Sequence, residues 1–150
     1  MPRYQVRESP PTYKRTDQPM IRNPEDAFRL CRPMANYKQE VFRVLLLTTR
    51  HHVFRKLTVS KGTLNASLVH PRDVFRAAIR LNAAAVILAH NHPSGVPEPS
   101  TDDEELTVRL YKAGELLGVK VLDHVIVAKN GCVSLREHGT FRLLEKEVES

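Results

Sequence analysis

A fully apolar run of seven residues, Ala83 to Ala89, leads into two histidines that are separated by one residue. A short run without polar side chains is typical of a central strand covered on both faces, so the chain must place layers above and below a sheet. Side chains at positions i and i+2 of an extended backbone point the same way, so His90 and His92 can converge on one point. Two imidazoles and a carboxylate, with a fourth position for water, are the ligands of a catalytic zinc site.

Hydrophobic periodicity and turn residues on either side of this run predict the remaining elements. The order is helix, strand, strand, helix, strand, helix, strand and strand, followed by a short helix in the tail. This order indicates an α/β (α+β) sandwich around a mixed sheet. The predicted bounds are a helix from Asn23 to Pro33, strands at Val41–Thr48 and Val53–Val59, a helix from Pro71 to Leu81, the strand at Ala83–Ala89, a helix that ends at Gly118, strands at Val119–Ala128 and Cys132–Leu135, and the tail helix at Phe141–Ser150.

The predicted connections place one acidic residue near the histidines. Two strands joined by about four residues form an antiparallel hairpin, and a helical crossover then makes the third strand antiparallel to the first. The start of the first strand and the end of the third therefore lie at the same end of the sheet. Glu40 precedes the first strand and would act as the general base, which takes a proton from water and passes it to a leaving amine. The alternative is a solvated acid before a strand.

The helix after the histidines opens with Ser100-Thr101-Asp102-Asp103. A serine followed three residues later by an acid is typical of a capping box, which alone would explain Ser100 and Asp103. A first-turn aspartate can also point outward to a metal while the helix stays capped, so an aspartate that opens this helix could supply the third ligand. The Ser100 hydroxyl would then assist a developing oxyanion. The loop residues 96–98 are expected not to touch the motif.

Other metal-binding residue types are assigned structural roles. His70 is expected to cap a helix, and His124, beside Asp123 in a strand, is interpreted as a structural histidine in preference to one that supports the metal. Cys31 and Cys132 lie far apart without a CxxC spacing, so neither a disulfide framework nor a cysteine zinc site is indicated.

The length and composition predict one globular domain at residues 21–150, after a flexible basic arm at residues 1–20. The net charge is +6, and residues 1–22 carry half of it. The arm could therefore make weak contact with nucleic acid. No apolar segment suits a membrane span or a signal peptide, so we expect no membrane association and a cytoplasmic location.

His90-x-His92, seven residues, Ser100, two residues and Asp103, with Glu40 upstream, resembles the JAMM motif of the JAB1/MPN metalloprotease superfamily. The surrounding segments "GTLNASLVHPRDVFRAAIRLNAAAVILAHNHPSG" and "LLGVKVLDHVIVAKNGCVSLREHG" resemble the bacterial RadC family, and the resemblance covers about residues 22 to 140. It implies an MPN-like α-β-α sandwich, layered as in cytidine deaminases. It also implies one Zn²⁺ per chain held by His90, His92 and Asp103, with Glu40 holding the catalytic water and Ser100 assisting.

The resemblance suggests three functions. Superfamily members with known activity cleave peptide or isopeptide bonds, which implies a zinc metallopeptidase-like hydrolase with an unidentified protein or peptide substrate. The RadC name implies DNA repair, but longer RadC proteins carry a helix-hairpin-helix region that residues 1–20 are too short to contain, and this chain resembles short MPN-only members often carried by mobile elements. The alternatives are a DNA-repair or mobile-element-associated DNA-binding module with a structural metal and an inactive protein-binding scaffold. The oligomeric state stays open.

Overall fold

The computed structural model describes residues 18–62 and 69–149. It has the predicted order of elements, and one 3-10 helix (Arg32–Asn36) is added where Pro33 ends the first helix. The mixed α+β fold expected from the sequence is confirmed. The elements are α1 (Pro24–Cys31), β1 (Val41–Leu47), β2 (Val53–Lys61), α2 (Pro71–Arg80), β3 (Ala85–Asn91), α3 (Thr101–Leu117), β4 (Lys120–Ala128), β5 (Gly131–Ser134) and α4 (Thr140–Glu149).

The five strands form one mixed sheet in the order β2-β1-β3-β4-β5. β1 runs antiparallel to both of its neighbours, β2 and β3, while β3 and β4 are parallel and β5 returns antiparallel to β4. The strand directions predicted from the hairpin and the crossover are therefore confirmed. Phe42 lies opposite His90 in the β1–β3 register, so the residue before β1 lies at the same end of the sheet as the end of β3.

The sheet is covered on both faces, as the apolar run predicts. Val86 and Leu88 of β3 pack in a core with α2, α3 and α4. Ala85, Ile87 and Ala89 pack on the opposite face against α1 and the 3-10 helix. Within residues 18–62 and 69–149, no helix is long and apolar enough to cross a membrane.

β3 extends beyond the apolar run that predicts it. His90 and Asn91 belong to the strand, and both have no exposed surface. The polar end of this strand is thus inside the protein, where each polar atom needs a partner. Those partners come from neighbouring elements, and they define the candidate site described below.

Most of the predicted flexible arm, and residues 63–68, fall outside the described residues. The end of the arm does contact the β1–β2 connection: Met20 forms an isolated bridge with His52, and the carbonyl of Pro19 accepts a hydrogen bond from the Val53 N–H at 2.9 Å. The division into an arm at 1–20 and a domain at 21–150 stays a prediction.

α3 approaches the sheet closely at Gly114. A Cβ atom at this position would overlap the backbone oxygen of Val119 and would lie 3.2 Å from the Val121 side chain. The Val119 N–H also donates a 3.0 Å hydrogen bond to the Gly114 carbonyl. This approach fixes α3 against β4, and α3 carries Asp103 in its first turn.

We therefore expect Gly114→Ala to lower the free energy of unfolding by about 1–3 kcal/mol, because the added methyl group overpacks the contact with Val119. Alanine favours a helix by about 1 kcal/mol over glycine, so a destabilisation must come from this contact. Urea denaturation measures the effect. The matched control is Leu116→Ala in the same helix, where the side chain is 89% exposed. Similar stability of the native protein and the Gly114→Ala variant would contradict the close approach.

Candidate metal centre

Three side chains that the sequence assigns to zinc lie together at the end of β3 and the start of α3. The Nε2 atoms of His90 and His92 are 2.9 Å apart. His90 Nε2 lies 3.1 Å from Asp103 Oδ1, and His92 Nε2 lies 3.1 Å from Asp103 Oδ2. Tetrahedral ligands with bond lengths of about 2.0 Å are about 3.3 Å apart, which is close to these separations. Among the described residues, these three form a group that could hold a metal ion.

The ring of His92 is held by the loop that follows it. Its Nδ1 atom donates a 2.8 Å hydrogen bond to the carbonyl oxygen of Val96. The chain turns back at Gly95, whose φ of 90° favours glycine and whose N–H donates to the His92 carbonyl at 3.1 Å. The expectation that residues 96–98 do not touch the motif is therefore wrong, because this turn brings a main-chain carbonyl to the ring.

The ring of His90 is held by a chain of buried hydrogen bonds that begins at His124. His90 Nδ1 lies 2.7 Å from His124 Nε2, and His124 Nδ1 lies 2.6 Å from Thr107 Oγ1. The Thr107 hydroxyl donates to the Asp103 carbonyl at 2.7 Å, so its oxygen accepts from His124 Nδ1. His124 Nε2 then accepts from His90 Nδ1, which leaves Nε2 of His90 without a proton and aimed at the site.

The environment of His124 holds it in contact with His90. It is completely buried, and the ring of Phe42 packs against both His124 and His90, with ring centroids 5.7 and 6.3 Å apart. Burial, followed by the influence of His90, holds the pKa of His124 well below its usual value. The neutral ring can accept a hydrogen bond through Nε2, as the orientation of His90 requires.

Asp103 serves the helix and the site at once. The Ser100 side chain accepts from the Asp103 N–H at 3.1 Å, while the Asp103 carboxylate accepts from the Ser100 N–H at 2.8 Å. The predicted capping box is thus present. Burial opposes ionisation of Asp103, but its contacts with the His90 and His92 side chains outweigh this effect and hold the pKa of the carboxyl well below its usual range. The group is therefore a carboxylate at neutral pH.

The donor set fits a divalent cation. When both imidazoles are neutral, the two Nε2 atoms present lone pairs to each other and to the Asp103 carboxylate, because the Nδ1 atoms of His90 and His92 carry the protons. Three lone-pair donors facing one another repel unless a positive charge lies between them. The convergence at about 3 Å thus supports a metal ion held by His90, His92 and Asp103.

Glu40 and Ser100 lie beside these three ligands. Glu40 is half-buried directly before β1. The pKa of His92 is raised, mainly by its contact with Asp103, then by the Val96 carbonyl, and also by the nearby Glu40 carboxylate. Ser100 is exposed at the start of α3. The position of Glu40 agrees with the strand directions, while the chemical roles of Glu40 and Ser100 stay predictions. His70 caps α2, accepting from the Arg72 N–H at 3.2 Å.

Comparison with known proteins identifies the family of this fold and site. The model of the RadC-like JAB domain matches residues 21–140. The chain belongs to the RadC-like JAB domain family. The matched range spans the positions of the three candidate ligands, Glu40 and Ser100. The resemblance to the RadC family noted from the sequence is confirmed.

Curated relatives carry the name UPF0758 protein. The chain is 51% identical to one from Desulforudis audaxviator over 125 residues, which is 83% of this chain and 54% of the relative. It is 52% identical to one from Rubrobacter xylanophilus over 122 residues, 81% of the chain and 53% of the relative. For one from Listeria monocytogenes the values are 48% over 123 residues, 81% and 55%. The chain thus spans about half the length of the curated relatives it matches.

We expect His124→Ala to weaken the affinity for a divalent metal ion by about 10- to 100-fold, the range found when partners of metal-binding histidines are removed. The substitution leaves His90 Nδ1 without its acceptor, so the ring can rotate or change tautomer. Competition with a coloured chelator measures the affinity. His138→Ala is the control, because His138 is exposed. An affinity within twofold of native for His124→Ala would exclude a supporting role for His124.

Proposed function

We propose that this protein is a zinc-dependent, metallopeptidase-like hydrolase that cleaves an amide bond, peptide or isopeptide, in a protein or peptide substrate. The observation that carries the proposal is the convergence of His90 Nε2, His92 Nε2 and the Asp103 carboxylate within about 3 Å of one another. Two imidazoles and a carboxylate that leave a coordination position open are typical of catalytic rather than structural zinc sites. We propose one Zn²⁺ per chain.

Zinc, when bound, lowers the pKa of a water molecule and polarises the substrate carbonyl. Glu40 accepts the proton of the attacking water and delivers it to the leaving amine, as a general base and then a general acid. Glu40 suits this role because its carboxylate lies near the three proposed ligands and is not one of them. The Ser100 Oγ atom accepts a hydrogen bond in the helix cap, so its own O–H can donate to the developing oxyanion.

The exposure of the ligands supports an approach of the substrate from one direction. The side chain of His90 has no exposed surface, whereas that of His92 is 12% exposed. Phe42 and His124 form the packed side of the site and exclude water from His90. The substrate carbonyl therefore enters beside His92, between the start of α3 and the start of β1.

We expect the purified native protein to hold about one zinc ion per chain and Asp103→Ala to lose it, because that variant lacks one of three ligands and a buried charge that balances the metal. Elemental analysis after dialysis against micromolar zinc measures the content. Asp102→Ala is the matched control, because its exposed carboxylate lies one position earlier in the same helical turn. Native protein without zinc under these conditions would overturn the proposal.

We expect Glu40→Gln to keep zinc and to lower kcat for amide hydrolysis by about 100-fold or more, because the amide cannot accept the proton of water. A peptide library supplies the substrate, and zinc content is measured on the same sample. Glu25→Gln, in the exposed first turn of α1, serves as the control. Turnover retained by Glu40→Gln would remove this residue from the role of base.

The alternative function, a DNA-binding module with a structural metal, receives less support from the charges. Residues 1–20 contain four Lys or Arg and two Asp or Glu, a net charge of +2, whereas residues 21–150 contain 19 and 15, a net charge of +4. Most of the positive charge thus lies in the domain and not in the arm that the alternative assigns to DNA. The Glu40→Gln variant separates the two functions, since DNA binding through basic residues does not depend on this carboxylate.

A further inference from the structure

Asn91, the residue between the two histidines, contacts the main chain on both sides of Glu40. Its Oδ1 atom accepts a hydrogen bond from the Val41 N–H at 2.7 Å, and its Nδ2 atom donates to the Gln39 carbonyl at 2.9 Å. An amide N–H can only donate and a carbonyl can only accept, so these two partners define the orientation of the Asn91 amide. The side chain spans the peptide groups that flank Glu40.

This contact lies in the interior of the protein. Asn91 has no exposed surface and is one of few polar residues among the fully buried ones. A buried amide without partners costs about 1–3 kcal/mol for each unsatisfied group, so both bonds must form together for the residue to be tolerated there. The Glu40 carbonyl is in turn held by the Gly62 N–H at 2.8 Å. The main chain at Glu40 is thus fixed by three hydrogen bonds.

Asn91 also occupies a fixed place relative to the ligands. It lies within β3, where it pairs with Val127 of β4, and its chain neighbours are His90 and His92. The β1–β3 ladder itself reaches the Phe42–His90 pair. Beyond that pair, the Asn91 side chain supplies bonds between the start of β1 and the end of β3.

We propose that Asn91 is a positioning residue that sets the location of Glu40 relative to the metal ligands. A single side chain joins the strand that carries the histidines to the peptide groups before and after Glu40, so movement of one strand displaces the other. The catalytic consequence rests on the proposed function, since a displacement of about 1 Å in a general base can cost about 100-fold in rate. The positioning itself is a structural claim and can be tested without a substrate.

Two substitutions separate the two hydrogen bonds. Asn91→Ala removes both. Asn91→Asp has nearly the same volume and keeps the acceptor for the Val41 N–H, but its carboxylate cannot donate to the Gln39 carbonyl. Asn36→Ala is the matched control, because Asn36 is exposed at the end of the 3-10 helix. All variants are studied as the full chain, loaded with Zn²⁺ or Co²⁺.

The first measurement follows the main chain at Glu40 by NMR. Amide hydrogen exchange reports the Val41 bond, and the pseudocontact shift induced by Co²⁺ at the Glu40 amide reports its position relative to the metal. We expect Asn91→Ala to speed exchange at Val41 by at least about tenfold and to change the Glu40 shift. We expect Asn91→Asp to keep Val41 protected and still to change the Glu40 shift. The Co²⁺ absorption bands should stay as in native protein, since all three ligands remain.

The second measurement is hydrolysis of the substrate found for the native protein. We expect kcat of the Asn91→Ala variant to fall by about 10- to 100-fold with KM within twofold, and Asn36→Ala to match native protein. Unchanged Glu40 shifts in both Asn91 variants, or a native kcat in Asn91→Ala, would overturn the positioning role. If Asn91→Ala does not fold, Asn91→Asp decides by the same Glu40 shift. Native protein that cleaves no peptide would contradict the proposed function, while the NMR measurement still decides the role of Asn91.

Discussion

The antiparallel pairing of β1 with β3 is the constraint on which the site depends. These strands are far apart in sequence, and their opposite directions place the start of one beside the end of the other. A parallel arrangement would put Glu40 at the far end of the sheet from His90, about 20 Å away for strands of this length. The parallel β3–β4 pair then brings His124 into the same region from behind. The remaining groups of the site are added to this frame by α3 and the turn after His92.

The sequence predicts the features of this site that depend on local pattern and strand direction. The spacing of the motif predicts that His90, His92 and Asp103 lie together, as they do in the structure. The hairpin followed by a crossover predicts that the residue before β1 lies at the same end of the sheet as the end of β3, which the strand pairing confirms. The role of His124 does not follow from pattern, because it depends on the register between β3 and β4. That register shifts between Val86 and Ile87, so counting along either strand does not reveal which residues meet. The contact of Val96 depends on the geometry of a turn, which spacing alone leaves open.

The interior of the site is arranged so that few charges are buried. His124 is held neutral, and the Thr107 hydroxyl donates a hydrogen bond to a main-chain carbonyl. The chain of hydrogen bonds behind His90 therefore adds no charge. Asp103 supplies one negative charge, and the carboxylate of Glu40 lies close enough to influence His92. A divalent cation would balance both carboxylates, which is the arrangement that burial favours. The support of the ligands by neutral groups therefore also sets the net charge of the centre.

The double use of Asp103 affects how divergent relatives should be interpreted. A relative that has lost its metal would still need Ser100 and Asp103 to begin α3, because these two residues cap that helix. The presence of Ser100 and Asp103 in a relative is therefore not sufficient evidence that the relative binds a metal. His124 has no comparable second role, because its two ring nitrogens form hydrogen bonds with His90 and Thr107 in an apolar interior. An aliphatic residue at position 124 would therefore be clearer evidence that a relative does not hold a metal at this site.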